Sequence, residues 1–473
     1  MSLEFAFFAL VLVIGFYMLW NIGANDVANA IGTSVGSGAL TIRKAICIAA
    51  VFEFLGASFF GGHVSQTIQS DLINAADFIK DPNTIILGML AALLATSICL
   101  QGANIKGWPI STTHAIVGGI IGFAVVAGGM DAVHWGIVAS IASSWIISPV
   151  LSAIVAFIFF KIVQKYILFA RYPILSTKRL FPFIVFAVTA TFFSSILSGR
   201  FQGEYPYLVA LLIASIFGIA AFIFIRFWRP PLQEGVEESS LNQQKLDNLQ
   251  EALKNLKLAK LFASEYESES FQKLLDKTKA LTREVRKKTN IRSPLTNEYN
   301  VVEKIVSYLQ ILSACCIAFA HGANDVANAV GPIAAIFKIA QDPKHFASAT
   351  STPTWLLFFG GFGIVVGLAT FGWRVIDTIG RKITELTPTR GFCAEFGAAT
   401  TILMATKLGL PISTTHCLVG AVLGVGFARG LAALNLSIIR SIAFSWLVTV
   451  PSSAVFSIGL FLFLQFVSKH LGF

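Results

Sequence analysis

GANDVANA occupies Gly23–Ala30 and recurs at Gly322–Ala329 without a single change. A second motif, PISTTH, follows each copy, at Pro109–His114 and again at Pro411–His416. The intervals from residue 23 to residue 109 and from residue 322 to residue 411 are 86 and 89 residues. Two motifs in the same order at nearly the same spacing are not a coincidence. The sequence therefore predicts a duplicated fold, with one half on each side of a central segment.

The composition identifies the environment of these halves. Of 473 residues, 55% are hydrophobic and only 13% are charged, whereas roughly 25% of an average soluble protein is charged. Apolar runs of roughly 17–25 residues can span a bilayer. Such runs lie near residues 3–20, 42–62, 84–101, 109–127, 133–160, 181–198, 206–228, 305–320, 355–373, 391–406, 409–428 and 438–467. The sequence predicts an all-α polytopic membrane protein with about 12 transmembrane segments, of which 109–127 and 409–428 are polar enough to be re-entrant.

Basic residues in the loops predict the orientation. With the N-terminus outside and the central polar segment left out of the count, the inner loops hold fourteen Lys and Arg residues and the outer loops hold six. Both termini are therefore expected outside a plasma or inner membrane, with the polar segment in the cytoplasm. The helix entering Asn25 then runs inward, whereas the helix entering Asn324 runs outward. Two inverted-topology repeats with broken or re-entrant helices are predicted, an organisation typical of secondary transporters with a midplane site.

These patterns divide the chain into four parts. We predict a first transmembrane repeat over 1–160, additional transmembrane helices over 161–228, a cytoplasmic polar loop over 229–304 and a second repeat over 305–473. Within the loop, heptad-like spacing predicts an amphipathic helix that packs on itself or on a partner subunit, so a homodimer stays open. The leucines concerned are Leu246, Leu249, Leu253 and Leu256. The net charge of +10 comes largely from inner loops, so no nucleic-acid partner is expected.

The PISTTH motif suits the binding of an oxyanion. Pro favours the first turn of a helix and Ser or Thr favours its cap, so both copies are expected to start helices. A helix N-terminus presents free N–H groups and partial positive charge. The predicted cradle adds six hydroxyl donors: Ser111, Thr112, Thr113, Ser413, Thr414 and Thr415. Hydroxyls that merely satisfy helix backbone in a membrane are the competing interpretation, which the duplication behind a proline disfavours.

GANDVANA contributes carboxylates and amides. An intramembrane carboxylate costs roughly 2.5–3.5 kcal/mol on insertion scales, so Asp26 and Asp325 are expected to be functional. Carboxylates can lie beside an oxyanion if Na⁺, which suits Asp and Asn oxygens, lies between them, or if a protonated oxygen of the anion donates to Asp. Mutual dependence of anion and cation binding is what symport requires. Glycines after the first helix are expected to let it unwind: Gly23, Gly32, Gly36 and Gly38.

Two further acids lie in predicted spans at positions that are not equivalent in the repeats. Glu53 and Glu395 are expected to be cation-linked or gating groups, because intramembrane acids often mark ion pathways. The predicted cation-binding residues are Asp26, Asn29, Glu53, Asp325, Asn328 and Glu395. His321 has no counterpart in the first copy, where Ile22 stands. No resident metal centre or cofactor is expected, because the cysteines form no metal-binding pattern with histidine.

The duplicated motifs resemble the two signatures of the inorganic phosphate transporter family, the sodium- or proton-coupled carriers often called PiT. The resemblance covers both hydrophobic halves, and the central segment carries no motif. It implies phosphate as substrate, transport rather than enzymatic activity, and a cytoplasmic central loop. By motif match it implies a substrate site lined by Asn25, Asp26, Ser111, Thr112, Thr113, Asn324, Asp325, Ser413, Thr414 and Thr415. Glu53 and Glu395 favour Na⁺ over H⁺ as the transported coupling ion.

Other transport activities compete with sodium–phosphate symport. A cradle of donors does not distinguish tetrahedral anions, so a proton-coupled permease for phosphate, sulfate or metal–phosphate complexes stays open. An anion channel is a more remote alternative, which accumulation against a gradient would exclude. A membrane-embedded enzyme is disfavoured because the sequence contains no activated nucleophile or metal-ligand cluster.

Overall fold

The computed structural model describes residues 3–74, 82–201, 203–228, 236–260, 265–289, 294–341, 352–372, 376, 386–430 and 436–471. Helices dominate these ranges. They are α1 (Leu3–Gly36), α2 (Ile42–Phe60), α3 (Gly62–Gln66), α4 (Pro82–Lys106), α5 (Thr112–Gly128), α6 (Trp135–Val163), α7 (Pro173–Arg200), α8 (Tyr205–Phe227), α9 (Val236–Lys260), α10 (Glu265–Thr289), α11 (Pro294–Asp325), α12 (Ala327–Gln341), α13 (Thr354–Phe371), α14 (Pro388–Lys407), α15 (Thr414–Arg429) and α16 (Leu436–Leu471). Short π-helical turns, Thr67–Asp71 and Gln164–Leu168, extend α3 and α6.

Eight described helices are long and apolar enough to cross a membrane, and the count is nine if α2 and its continuation through Asp71, bent by 57°, form one span. The chain is therefore a multi-pass, all-helical membrane protein over its described part. Nine of the twelve predicted runs correspond to these candidate spans, if the bent pair is counted as one. The other three runs correspond to α5, α14 and α15, which are not among the candidate spans. Helix α5 has 17 residues and α15 has 16, or about 24–26 Å at 1.5 Å per residue. That length is shorter than the roughly 30 Å of a bilayer core.

The short helices belong to two helix pairs of the same design. Helix α4 is followed by a turn and then α5, and α14 is followed by a turn and then α15. Gly107 and Gly409 occupy the two turns with φ of 65° and 68°. A residue with a side chain is strained in this left-handed conformation, which accounts for glycine at both places. We call these pairs hairpin 1 (α4–α5) and hairpin 2 (α14–α15).

The two halves exchange packing partners. Helix α1 packs against α13 and α11 against α2, while α5 packs against α16 and α15 against α6. Glycines allow these approaches: a methyl group on Gly23 would overlap the backbone of Ile364, and one on Gly322 would overlap the backbone of Glu53. Close backbone contact through small residues is a common means of helix association in membranes. Because each half completes the packing of the other, residues distant in sequence meet between them.

The segments between the halves lie at the periphery of the packed core. Helices α7 and α8 pack mainly on each other, and α8 exposes large apolar side chains such as Leu212, Ile216 and Phe227. Exposed apolar surface on a membrane helix suits contact with lipid. In the polar segment, α9 packs on α10 within the same chain. Leu246 is buried there, while Leu249, Leu253 and Leu256 are partly buried.

Candidate substrate and cation site

Each PISTTH motif forms the start of the second helix of its hairpin. Ser111 caps α5 and its hydroxyl oxygen accepts a hydrogen bond from the His114 N–H at 3.2 Å; Ser413 caps α15 and accepts from the His416 N–H at 3.2 Å. A capped helix still leaves the N–H groups of its first two residues without intrahelical partners. The prolines precede the caps instead of entering the first turn, a correction to the sequence prediction, because two non-helical residues lie between each proline and its helix.

The GANDVANA motifs are helical and buried. Helix α1 runs without interruption through the first copy to Gly36, so the predicted unwinding at Gly23 and Gly32 is wrong. Gly23 serves close packing against Ile364 instead. The second copy differs slightly, because α11 ends at Asp325 and α12 begins at Ala327. This one-residue break lies between the acidic residue and the second asparagine of the motif.

Asparagines of each half contact the threonines of the other half. Asn29 Nδ2 donates to Thr415 Oγ1 at 2.7 Å and to Asp26 Oδ1 at 2.9 Å. Asn328 Nδ2 donates to Thr112 Oγ1 at 3.1 Å and to Thr113 Oγ1 at 3.2 Å. All these side chains are buried. The four motifs therefore converge on one site between the halves.

Hydroxyl groups link the hairpins to each other and to the acids. Thr113 Oγ1 donates to the Ile412 carbonyl oxygen at 2.9 Å, which ties hairpin 1 to hairpin 2. Thr414 Oγ1 donates to Asp325 Oδ2 at 2.6 Å. Thr415 Oγ1 lies 3.4 Å from Asp26 Oδ1. Hydroxyls and carboxylates, predicted separately from sequence, are thus in direct contact.

Asn25 and Asn324 have a different environment. Asn25 Nδ2 donates to Asn104 Oδ1 at 2.7 Å and to the Trp108 carbonyl oxygen at 3.2 Å. Asn324 Nδ2 donates to Thr406 Oγ1 at 3.1 Å and to a carbonyl oxygen in the turn of hairpin 2 at 3.2 Å. Each of these asparagines, predicted to bind substrate, holds the turn of the hairpin in its own half.

Five oxygens of the GANDVANA motifs are buried without a hydrogen-bond partner among the described residues: Asp26 Oδ2, Asn29 Oδ1, Asn324 Oδ1, Asp325 Oδ1 and Asn328 Oδ1. Four of them form two matched pairs, Asp26 with Asp325 and Asn29 with Asn328, and each pair has one member in each half. An unsatisfied buried oxygen is costly unless another group or an ion approaches it. Carboxylate and amide oxygens are suitable ligands for hard cations. This arrangement can accept positive charge beside the hydroxyls.

A histidine lies among the acids. His321 Nε2 is 3.0 Å from Asp325 Oδ2, and His321 Nδ1 is 3.3 Å from Glu53 Oε1; all three side chains are buried. Potential ligand atoms of Asp26, His321 and Asp325 lie within 4.8 Å of one another. Sequence reasoning missed His321 as a site residue. Its spacing from Asp325 was the available signal, because residues four apart share one face of a helix.

Glu395 belongs to a separate cluster of hydrogen bonds. Thr33 and Ser34 each donate to its Oε1 at 2.6 Å, Gln310 donates to the same oxygen at 3.2 Å, and Ser313 donates to Oε2. Thr33 follows Asp26 by seven residues on α1, which is about 10 Å along a helix axis. The structure therefore brings Glu53 into the main site, through His321, and places Glu395 in a second buried polar cluster.

The fold and the buried site define a membrane transport protein rather than an enzyme, and comparisons with known proteins agree. The profile of the phosphate transporter family matches residues 22–457. Inorganic phosphate transporter 2-1, chloroplastic, of Arabidopsis thaliana is 44% identical over 454 residues, covering 94% of this chain and 70% of that relative. A solved structure titled the sodium-dependent phosphate transporter is 35% identical, with a TM-score of 0.77, covering 97% of this chain and 99% of that chain.

The chain belongs to the phosphate transporter family. This membership confirms the family that the two duplicated motifs predicted, and with it a transport function involving phosphate.

Proposed function

We propose that this protein imports inorganic phosphate by symport with Na⁺ through one site between two inverted repeats. The observation that carries the proposal is the crossed pairing of motifs, Asn29 with Thr415 and Asn328 with Thr112 and Thr113. A site built from both halves changes shape when the halves move relative to each other. Alternating access in carriers with inverted repeats uses such movement around a fixed site.

In this proposal the phosphate lies against the starts of α5 and α15. Free N–H groups at a helix start and nearby hydroxyls are suitable donors for phosphate oxygens. The hydroxyl donors are Ser111, Thr112, Thr113, Ser413, Thr414 and Thr415. The contacts of Asn25 and Asn324 fix the hairpin turns. We therefore propose that these asparagines contribute to substrate binding by positioning the hydroxyl donors.

Sodium ions neutralise the acids in the loaded site. The ligands that we propose for them are Asp26, Asn29, Asp325 and Asn328, each of which has a buried oxygen without a hydrogen-bond partner among the described residues. The similar solved structure is titled as sodium-dependent, which favours Na⁺ over H⁺. Glu53 adds negative charge behind His321. Glu395, with the hydroxyls of Thr33 and Ser34, is proposed as a second cation position.

The proposed orientation follows the charge of the loops. Both termini lie outside the membrane, and the polar segment with α9 and α10 lies in the cytoplasm. Helices α5 and α15, one from each half, are re-entrant. The short lengths of α5 and α15 support this arrangement, because neither is long enough to cross the bilayer core.

Uptake of radiolabelled phosphate into proteoliposomes tests the proposal. Na⁺ and pH gradients are imposed separately, and empty liposomes give the background. We expect concentrative uptake with an inward Na⁺ gradient at equal pH. Accumulation driven only by a pH gradient would replace Na⁺ with H⁺ in the proposal. Equilibration without accumulation under either gradient would contradict symport and support a channel.

A further inference from the structure

The site contains a nitrogen ligand that a sodium site does not need. Na⁺ is a hard cation that prefers oxygen, whereas imidazole nitrogen is a preferred ligand of Zn²⁺, Co²⁺, Ni²⁺ and related divalent ions. His321 is fully buried, and its ring lies within 4.8 Å of ligand oxygens from Asp26 and Asp325. One imidazole and two carboxylates that converge in this way form the ligand set of a transition-metal site rather than that of an alkali-metal site.

This histidine–glutamate pair is present beside one of the two GANDVANA copies and not beside the other. Gly23 and Gly322 occupy matched positions, and they pack against the backbones of Ile364 and Glu53 respectively. Beside Gly23, therefore, Ile22 and Ile364 occupy the places that His321 and Glu53 occupy beside Gly322. Both isoleucines are fully buried. An apolar pair satisfies the packing at this position, so the folding of the halves does not require an ionisable pair.

Glu53 occupies the position of a supporting residue for a metal-bound histidine. Its Oε1 lies 3.3 Å from His321 Nδ1, on the opposite side of the ring from Asp325. A carboxylate at the second ring nitrogen fixes the orientation of the ring and directs the other nitrogen to a metal. Oε2 of Glu53, Oδ2 of Asp26 and Oδ1 of Asp325 have no hydrogen-bond partner in the described part of the chain.

We propose that a divalent transition-metal ion binds to Asp26, His321 and Asp325, takes the place of the coupling cation and so inhibits transport. Three protein ligands leave a fourth position of a tetrahedral ion open to water. Two positive charges at one point also offset the repulsion among the buried carboxylates. The inhibition rests on the proposed sodium role of the two aspartates, whereas the metal binding does not.

Binding of Co²⁺ to the full-length protein in detergent, without phosphate, is the primary test. Visible absorption of protein-bound Co²⁺ reports nitrogen and oxygen coordination, and displacement by Zn²⁺ measures relative affinity. We expect Glu53→Gln to weaken Co²⁺ binding by about 10- to 100-fold, the usual effect of losing a supporting carboxylate. His321→Ile should weaken it further and change the spectrum. Mg²⁺ should not compete, because it prefers oxygen ligands.

Two variants serve as controls. His134→Ala removes an exposed histidine that contacts the backbone of Asp71, and it should leave Co²⁺ binding unchanged. Because His321→Ile leaves Glu53 buried without its neighbour, the double variant Glu53→Ile/His321→Ile is tested in parallel. It reproduces the apolar pair of Ile22 and Ile364 that lies beside Gly23, so it should fold while losing Co²⁺ binding. Thermal unfolding and gel filtration monitor the fold.

The outcomes separate this inference from the proposed function. Co²⁺ binding that is no tighter than Mg²⁺ binding, or that persists in the folded double variant, would overturn the metal site. If the site binds Co²⁺ but Zn²⁺ does not reduce sodium-driven phosphate uptake, or if Co²⁺ is carried into proteoliposomes with phosphate, the inhibitory role is wrong. Failure of sodium-driven uptake itself, with His321-dependent Co²⁺ binding intact, would refute the proposed function and leave the metal site standing.

Discussion

The hydroxyl of Thr414 offers a direct test of how the substrate cradle and the acids are connected. It donates to Asp325 Oδ2 at 2.6 Å in a fully buried environment. Thr414→Val keeps the shape of the side chain but removes the donor. A hydrogen bond to a charged group contributes about 1.5–3 kcal/mol. If that hydroxyl also helps to hold phosphate, the dissociation constant for phosphate should rise about ten- to a hundredfold.

The assay is equilibrium binding of labelled phosphate to detergent-purified protein at saturating Na⁺. Thr401→Val is the matched control, because Thr401 is also buried in a helix but donates only to the Gly397 carbonyl oxygen of its own helix, at 3.0 Å. The control should bind phosphate like the wild type. Equal affinity in wild type, Thr414→Val and Thr401→Val would show that the start of α15 does not contact the substrate, and the cradle would have to be sought elsewhere.

Three further predictions follow from the same structure. Asp26→Asn and Asp325→Asn should each abolish sodium-driven accumulation while preserving shape, and concentrative uptake by either variant would remove that acid from the coupling mechanism. Gly322→Ala places a methyl group on the backbone of Glu53 and should cost about 1–3 kcal/mol as overpacking, whereas Gly102→Ala, with open space around it, should not lower the thermal unfolding temperature. Deletion of residues 240–292 with a flexible linker should leave uptake measurable, because no motif lies there, and complete loss in a monodisperse protein would give the segment a part in the pathway.

The sequence singled out candidate site residues but not the contacts between them. Duplicated motifs and intramembrane acids were sufficient to select the threonines and Asp26 and Asp325 as candidates, because such groups are expensive to bury without a purpose. The contact between Asn29 and Thr415 joins residues 386 positions apart. No local pattern encodes that distance, which arises because the halves exchange packing partners.

Two further differences between the sequence prediction and the structure also depend on three-dimensional contacts. Gly23 was expected to loosen α1, yet glycine also permits close helix packing, and sequence alone does not distinguish these uses. Glu395 was predicted to bind cations together with the other acids, because in the sequence each of them is simply an acidic residue within an apolar run. Its hydroxyl partners, Thr33 and Ser34, are more than 360 residues away in sequence, so its separate cluster is visible only in three dimensions.

Phosphate affinity measured across a Na⁺ titration tests the central claim most directly. The protein is held in detergent at fixed pH, and choline maintains the ionic strength. Two aspartates and a phosphate dianion repel one another in a low-dielectric site, so we predict weak phosphate binding without Na⁺ and a steep rise in affinity as Na⁺ increases. Linkage then requires phosphate to raise the affinity for Na⁺ by the same factor. A phosphate affinity that does not change with Na⁺ would contradict sodium coupling at this site.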